Sequence, residues 1–149
     1  MKAKAAPVLF RNVSACREIL VFEHPIAGVQ LIKGTVEPGE SPGAAAIREL
    51  AEEAGITNAN WVSELGVWES GHEQQIWHFH EVHTSVTLPE TWRHHANDDG
   101  GHLFRMFWHE FPSQPGPSWH PVHARALTYL QGLVFQRTQP HKRANRSEA

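Results

Sequence analysis

The segment from Gly34 to Ile56 constrains the fold of this chain most, because it encodes a turn, a helix start and a helix stop in succession. Residues 37–40, Glu-Pro-Gly-Glu, are turn sequence, since proline fixes φ and glycine tolerates positive φ. Ser41-Pro42 then predicts an N-cap followed by proline at the first helical position. Strong helix formers occupy residues 44–54, and Gly55 stands where a left-handed C-cap is expected. The segment therefore predicts loop, helix and stop from local sequence alone.

Three glutamates share one side of the predicted helix. At about 100° per residue, Glu49, Glu52 and Glu53 span an arc of about 100°. The residues almost opposite are predicted to pack on a sheet, and they are Ile47, Leu50, Ala51 and Ala54. Ala45 and Ala46 fall on the carboxylate side, where their small side chains are expected to leave the surface open.

Carboxylates in such a cluster repel one another. Two of them about 4 Å apart repel by about 4 kcal/mol at an effective dielectric constant of 20. A surface helix relieves this repulsion by extending its side chains into water, which predicts a solvated acidic face. A bound divalent cation relieves it as well, and a site of oxygen ligands favours Mg²⁺ or Mn²⁺ over zinc.

The spacing of fixed residues in this segment favours the cation. The segment resembles the Nudix box, whose pattern is G-x5-E-x7-R-E-U-x-E-E-x-G-U with U a bulky aliphatic residue. All of its fixed positions match, and the matching residues are Gly34, Glu40, Arg48, Glu49, Leu50, Glu52, Glu53, Gly55 and Ile56. The resemblance implies an α/β fold in which a mixed β-sheet is sandwiched between helices. We expect a single domain over residues 1–149, with an ordered core at about residues 5–136 and a frayed polar tail from residue 138 to 149.

The same resemblance implies a metal site. Glu52 and Glu53 would be the principal metal ligands, and the backbone carbonyl of Gly34 would supply a further oxygen. Glu49 would share the metal or orient the attacking water. The ion would be Mg²⁺ or Mn²⁺. The implied reaction is hydrolysis of a pyrophosphate bond in a nucleoside diphosphate linked to another moiety.

Three other residues of the segment are predicted to support this chemistry. Arg48 belongs to the catalytic group because it would orient a catalytic glutamate, with Glu52 one helical turn further on. Glu40 either ties the loop to the helix or interacts with the dipole at the helix N-terminus. Gly55 has a structural role as the C-cap.

The rest of the chain predicts a sheet and a second helix. Apolar, β-branched and aromatic runs predict strands at residues 5–10, 18–22, 29–33, 61–68, 75–83 and 103–111, with a turn at residues 11–16. Residues 121–135 carry an apolar stripe that predicts a docked helix. Residues 84–101 are predicted to form one long loop, a class that is usually functional or mobile.

Residues outside the box must select the substrate. Lys33 either bridges phosphate oxygens or is a solvated residue at a strand end. Trp92 is a candidate for stacking on a nucleobase. Asp98 or Asp99 would add an acidic metal ligand, although Asn-Asp-Asp-Gly-Gly is also ordinary turn sequence. Glu81 and Glu110 are weaker candidates for the same acidic metal ligand.

The histidines do not predict a zinc site. His78 and His80 share one face of a predicted strand, where packed or solvated histidines are more common than ligands, and no cysteines accompany them. His24 precedes the box closely enough in sequence to line a nucleotide pocket.

Composition limits the partners and the compartment. The net charge of −3 argues against non-specific nucleic-acid binding. The resemblance to the Nudix family implies a small-molecule nucleotide partner. One cysteine, Cys16, fits a reducing compartment. Because no apolar run approaches about 18 residues, we expect no membrane contact and a cytoplasmic location. A homodimer is left open.

The resemblance slightly favours dinucleoside polyphosphates or nucleoside triphosphates as substrates. The alternative is a regulatory module that binds a nucleotide without cleaving it. Such modules usually lack some of the box glutamates, and this chain has all of them.

Overall fold

The computed structural model describes residues 1–97 and 101–138. Within them the chain forms eight strands and two helices. The strands are β1 (Lys2–Val13), β2 (Cys16–His24), β3 (Gly28–Gln30), β4 (Gly34–Thr35), β5 (Ala59–Glu69), β6 (Gln75–Thr84), β7 (Trp92–Ala96) and β8 (His102–Glu110). The helices are α1 (Pro42–Ala54) and α2 (Pro121–Thr138). Neither helix is long and apolar enough to cross a membrane within these described residues.

The strands form one mixed sheet in the order β5-β6-β1-β2-β8-β7. β1 and β6 are parallel, and the other strand pairs are antiparallel. The short strands lie off this path, because β3 pairs with β2 and β4 pairs with β1. In the last pair Gly34 lies opposite Ala5, so the start of the box is fixed against a central strand.

The two faces of the sheet carry separate hydrophobic cores, because successive strand residues point to opposite faces. Val8 and Val21 belong to the core under α2, together with Leu127 and Leu130 of that helix. Leu9 and Phe22 belong to the core under α1, which includes Leu50 and Ala54. This arrangement confirms the predicted mixed sheet between helices.

Local sequence sets both ends of α1 as predicted. Ser41 caps the helix, and its Oγ accepts a hydrogen bond of 3.1 Å from the Ala44 N–H. Gly55 ends the helix at φ 76°, in the left-handed region, and its N–H donates to the carbonyl of Ala51. Glycine is favoured at this cap because side chains with a Cβ disfavour that conformation.

The predicted packing face of α1 is partly wrong. Ala45 and Ala46 are fully buried against Ala5 of β1, and they do not leave an open surface. Glu49 and Glu53 lie within the same buried side of the helix and are only 4% and 9% exposed. The small alanines allow α1 to lie close to the sheet, so two of the three glutamates become buried.

The prediction of one loop over residues 84–101 is also wrong. β7 occupies part of it and pairs with β8, with Trp92 opposite Met106 and Ala96 opposite His102. β7 and β8 are consecutive antiparallel strands, and the residues Trp-Arg-His-His-Ala of β7 carry little strand signal. Asp98 and Asp99 lie outside the described residues.

The boundaries of β1 to β4 differ from prediction as well. β1 and β2 extend through most of the predicted turn at 11–16, because Ser14 and Ala15 alone form the hairpin loop with positive φ. Of the strand predicted at 29–33, only residues 29 and 30 lie in a strand, β3, and β4 begins after it at Gly34.

Candidate active site

Arg48 is the centre of the hydrogen-bond network in the box. Its Nε and Nη2 each donate to Glu40 at 2.9 Å, forming a bidentate ion pair. Nη1 donates to Glu49 at 2.8 Å and to Glu52 at 3.2 Å. Nη2 also donates to the carbonyl of Thr35 at 2.8 Å. Arg48 thus uses all the donors of its guanidinium to connect α1, β4 and the loop between them.

Glu40 joins the loop to the helix through these contacts. Besides pairing with Arg48, it accepts a hydrogen bond of 3.0 Å from the Glu37 N–H. The Arg48 guanidinium, followed by that backbone N–H, lowers the pKa of Glu40 to about 2. The same ion pair raises the pKa of Arg48. Both groups therefore stay charged across the ordinary pH range.

Gly34 and Glu53 bring the chain before the loop against the helix. A Cβ at Gly34 would overlap the carboxylate of Glu49, so only glycine fits this position without displacing that side chain. Glu53 accepts a hydrogen bond of 3.1 Å from the Lys33 N–H. The backbone at residues 33–34 is therefore held directly over the two buried glutamates.

These residues line an open cavity of about 420 Å³. The three box glutamates and Arg48 form one side of it, and Lys4, Lys33 and Phe104 lie around the rest. Lys4 donates to Thr35 Oγ1 at 2.7 Å. Carboxylates and lysines thus share one cavity, which can hold a cation and an anion next to each other.

The donors fit a hard divalent cation. Glu49, Glu52 and Glu53 supply carboxylate oxygens, and Gly34 lines the same cavity in close contact with Glu49. Oxygen donors of this kind suit Mg²⁺ or Mn²⁺. Within residues 1–97 and 101–138, no three His, Cys, Asp or Glu side chains converge as a ready-made metal site. Arg48 holds Glu49 and Glu52 in their present positions.

β7 holds the other end of the helix. The Trp92 indole N–H donates to the carbonyl of Ala54 at 2.9 Å. His94 Nε2 lies 2.9 Å from the carbonyl oxygen of Glu52, which can only accept, so Nε2 carries the proton. Trp92 is half-buried in the core under α1 and does not line the carboxylate cavity.

The other residues predicted to contact the substrate or the metal lie at different places around the sheet. Lys33 lines the cavity, and its Nζ lies 5.2 Å from the centre of the Trp77 ring. Glu81 and Glu110 do not line it; Glu81 contacts His83, and Glu110 accepts from Ser113 at 3.2 Å. His24 lies at its edge, with its ring 5.5 Å from that of Phe104.

Sequence reasoning missed Lys4, Phe104 and His94. Lys4 reaches the site because β1 and β4 pair with Lys4 opposite Thr35, a register that no local pattern shows. His94 was detectable in principle, because residues 92, 94 and 96 alternate inward along β7.

Comparison with known proteins agrees with this architecture. The family model described as NUDIX domain matches residues 1–130. No curated protein sequence matches the chain. Similar solved structures include an ADP-ribose pyrophosphatase from Streptococcus suis, 12% identical with a TM-score of 0.60, covering 89% of this chain and 91% of the other.

Two further structures show the same fold with different described functions. An Ap4A hydrolase from C. elegans is 19% identical with a TM-score of 0.58, covering 93% of this chain and 96% of that one. The NUDIX domain of Shewanella oneidensis NrtR, solved with ADP ribose, is 11% identical with a TM-score of 0.56, covering 91% and 87%. These identities support the fold alone. Because the family model covers most of the sequence and the box geometry is intact, the chain belongs to the Nudix family.

Proposed function

We propose that this protein is a metal-dependent pyrophosphohydrolase acting on a nucleoside diphosphate linked to another moiety. The observation that carries this proposal is the cluster of Glu49, Glu52 and Glu53 beneath Gly34 and Lys33 in one open cavity. Two of these carboxylates are buried, and burying a charged group costs free energy unless it is paired. Their burial therefore favours a functional cluster over a solvated acidic face.

In this proposal Glu52 and Glu53 hold Mg²⁺ or Mn²⁺ with the carbonyl of Gly34, and Glu49 shares the ion or orients the attacking water. The cation neutralises pyrophosphate oxygens and lowers the pKa of a coordinated water. Arg48 positions Glu49 and Glu52 through its Nη1 donor. The other donors of the Arg48 guanidinium bond Glu40 and Thr35. Arg48 is therefore a positioning residue and does not contact the substrate.

Lys4 and Lys33 give the cavity its affinity for an anion. A lysine ammonium acts as a point charge toward phosphate oxygens. Two such charges at one cavity favour a substrate with several phosphates, such as a dinucleoside polyphosphate or a nucleoside triphosphate.

A nucleotide-binding regulator is the second candidate, since the NrtR domain with ADP ribose has the same fold. Against it, each box glutamate is present and is placed at the cavity. The Ap4A hydrolase and the ADP-ribose pyrophosphatase are named for different substrates, so their names do not select one for this chain.

The test is a hydrolysis panel with product identification. Dinucleoside polyphosphates, nucleoside triphosphates, ADP-ribose and a UDP-sugar would be incubated with the protein in Mg²⁺ or Mn²⁺. We expect turnover of at least one compound, with products that reveal the phosphorus attacked. Glu53→Gln should lower kcat by about 100-fold or more, because several kcal/mol of charge stabilisation depends on that ligand.

Glu90→Gln is the matched control, because Glu90 is an exposed carboxylate that pairs with Arg11 elsewhere on the surface. It should leave kcat unchanged. Nucleotide binding without turnover anywhere in the panel would identify the regulator instead. Parental activity in Glu53→Gln would remove the assigned role of that glutamate.

A further inference from the structure

A second cavity lies on the opposite flank of α1. We call it the β5–α1 cavity, and its volume is about 260 Å³. The residues of interest in its lining are Gly43, Ile47, Trp61, Glu64, His78 and His80. At about 100° per residue, Ile47 lies about 160° around the helix from Glu49. The helix therefore separates this cavity from the carboxylates.

His80 is a buried polar group that needs a partner. Its side chain lines the cavity, and the residue is only 4% exposed. Its Nδ1 makes no hydrogen bond within the described part of the chain. Burial lowers the pKa of His80, so the ring is neutral and presents one donor and one acceptor. Nδ1 itself is enclosed, but a neutral imidazole at the wall of a cavity can still donate or accept one hydrogen bond toward a ligand there.

Trp61 supplies a flat apolar surface beside this nitrogen. The residue is 53% exposed, an unusual exposure for the largest side chain, and its ring centre lies 5.8 Å from that of His80. Gly43 of α1 packs under the indole; a Cβ there would lie 3.5 Å from the ring. Exposed aromatic faces of this kind are the platforms on which bases stack.

β5 is irregular where it forms this wall. Its pairing with β6 shifts register between Trp61 and Ser63, and again between Glu64 and Gly66. Such bulges redirect side chains and are common beside binding sites. Here they surround Glu64, which lies directly across from His80 in the sheet. Glu64 and His80 thus place polar atoms together at one side of the cavity.

The lining also limits what the ligand can be. It contains no lysine or arginine, in contrast to the carboxylate cavity, so it offers no cation for a phosphate. A volume just below the range for drug-sized ligands leaves space for one flat ring system with its polar edge.

We propose that the β5–α1 cavity binds a nucleobase or nucleoside, with its ring on Trp61 and its polar edge on His80 and Glu64. This site is additional to the proposed hydrolytic site and binds the uncharged part of a nucleotide without its phosphates. The ligand contacts the first half of α1, the helix that carries the glutamates, on the flank away from them.

The test uses nucleosides, which lack the phosphates that the carboxylate cavity would bind. Adenosine, guanosine, cytidine and uridine would be titrated into the full chain without divalent metal. Binding would be followed by NMR of the tryptophan indole N–H and histidine ring C–H signals, assigned with Trp61→Phe and His80→Asn. At least one nucleoside should shift the Trp61 and His80 signals saturably, with a dissociation constant of about 1 mM or lower.

Two variants and one control examine the location. Trp61→Ala removes the stacking surface and should weaken binding about tenfold or more. Ile47→Trp should fill the cavity from the helix side and abolish binding. Phe135→Ala removes another exposed aromatic side chain, on α2, and should leave binding unchanged. Thermal unfolding of each variant verifies that it is folded.

The absence of saturable shifts with all four nucleosides would overturn the proposal. Shifts that persist unchanged in folded Trp61→Ala would also overturn it, as would a response of His78 and His80 to Zn²⁺ alone. Hydrolysis assays distinguish a failure of this proposal from a failure of the proposed function, because Trp61→Ala should retain the parental kcat in the nucleotide panel. Loss of nucleoside binding with retained hydrolysis assigns the two activities to different sites.

Discussion

The two ends of α1 are held by different parts of the chain. The N-terminal end is fixed by neighbours in sequence, since Ser41 caps Ala44 and Glu40 pairs with Arg48 eight residues later. The C-terminal end is fixed by β7, where Trp92 and His94 bond backbone carbonyls 38 and 42 residues away. Gly55 also caps that end locally, so nearby sequence sets both ends of the helix and the C-terminal end has tertiary support as well.

This difference separates the contacts that place the catalytic glutamates from the contacts that stabilise the end of the helix. The contacts that place the glutamates against the loop come from the box and the residue before it, within Lys33 to Glu53. The contacts that add to the Gly55 cap in holding the last helical turn come from a strand that the box does not encode. Helix ends leave carbonyls without intrahelical partners, so such support from outside is needed wherever an end must be rigid. Variants at the two ends should therefore affect different properties.

Gly34→Ala should produce the largest effect on activity. The new Cβ would overlap the Glu49 carboxylate and force that side chain, or β4, to move. Because a glutamate at the proposed metal site is displaced, we expect kcat/KM to fall by about 100-fold or more. The measurement is Mg²⁺-dependent turnover of whichever nucleotide the panel identifies.

Gly132→Ala is the matched glycine control. Gly132 lies in α2, and no atom stands within 4 Å of where its Cβ would be. Alanine there should preserve activity and stabilise the helix by about 1 kcal/mol. If Gly34→Ala were as active as Gly132→Ala, the close packing of Gly34 on Glu49 would have no part in catalysis.

Glu40→Gln should alter the pH dependence of stability at the N-terminal end. The Arg48 guanidinium lowers the folded-state pKa of Glu40 from its ordinary value of 4.5 to about 2. The ionised carboxylate therefore stabilises the fold fully above about pH 4.5, and this contribution is lost as pH falls toward 2. In urea unfolding, the parent should be more stable than Glu40→Gln at pH 7, and the difference should shrink over that window.

Glu37→Gln serves as the control in the same loop, because Glu37 contacts Glu40 through its backbone N–H and its backbone carbonyl, which the substitution keeps. It should follow the parent at every pH. A stability difference between parent and Glu40→Gln that stayed constant from pH 7 to pH 2 would show that the ion pair does not cause it.

The features that were predictable from the sequence depend on neighbouring residues, and the features that were missed depend on contacts between different segments. The cap at Ser41, the stop at Gly55 and the spacing of the glutamates depend on local chemistry, and the helix was predictable from them. The burial of Ala45 and Ala46 was not, because it depends on how closely β1 approaches. Their small size allowed either an open surface or a close contact.

Pairing between strands explains the other misses. β7 lies in the segment predicted as loop, because its own residues carry little strand signal and its strand state depends on antiparallel pairing with β8. Lys4 reached the active-site cavity through pairing of β1 with β4. Propensity within a short window does not contain either register, since side-chain partners across a sheet decide it.

Trp92→Phe should have the smallest of these effects, and it tests the C-terminal end. Phenylalanine keeps an aromatic ring in the core under α1 but removes the indole N–H that bonds Ala54. We expect the free energy of unfolding to fall by about 1 kcal/mol, the usual net value of one hydrogen bond. Hydrogen exchange should rise in the last turn of α1 and not at the Ser41 cap.

Kinetics of the same variant separate support from substrate stacking. If Trp92 only supports the helix, KM should match the parent in both Trp92→Phe and Trp92→Ala, while stability falls further in Trp92→Ala. If Trp92 stacks on the base, Trp92→Phe should retain KM and Trp92→Ala should raise it. An unchanged exchange rate at the helix end in Trp92→Phe would mean that β7 does not secure α1, and the two ends would then differ less than the contacts indicate.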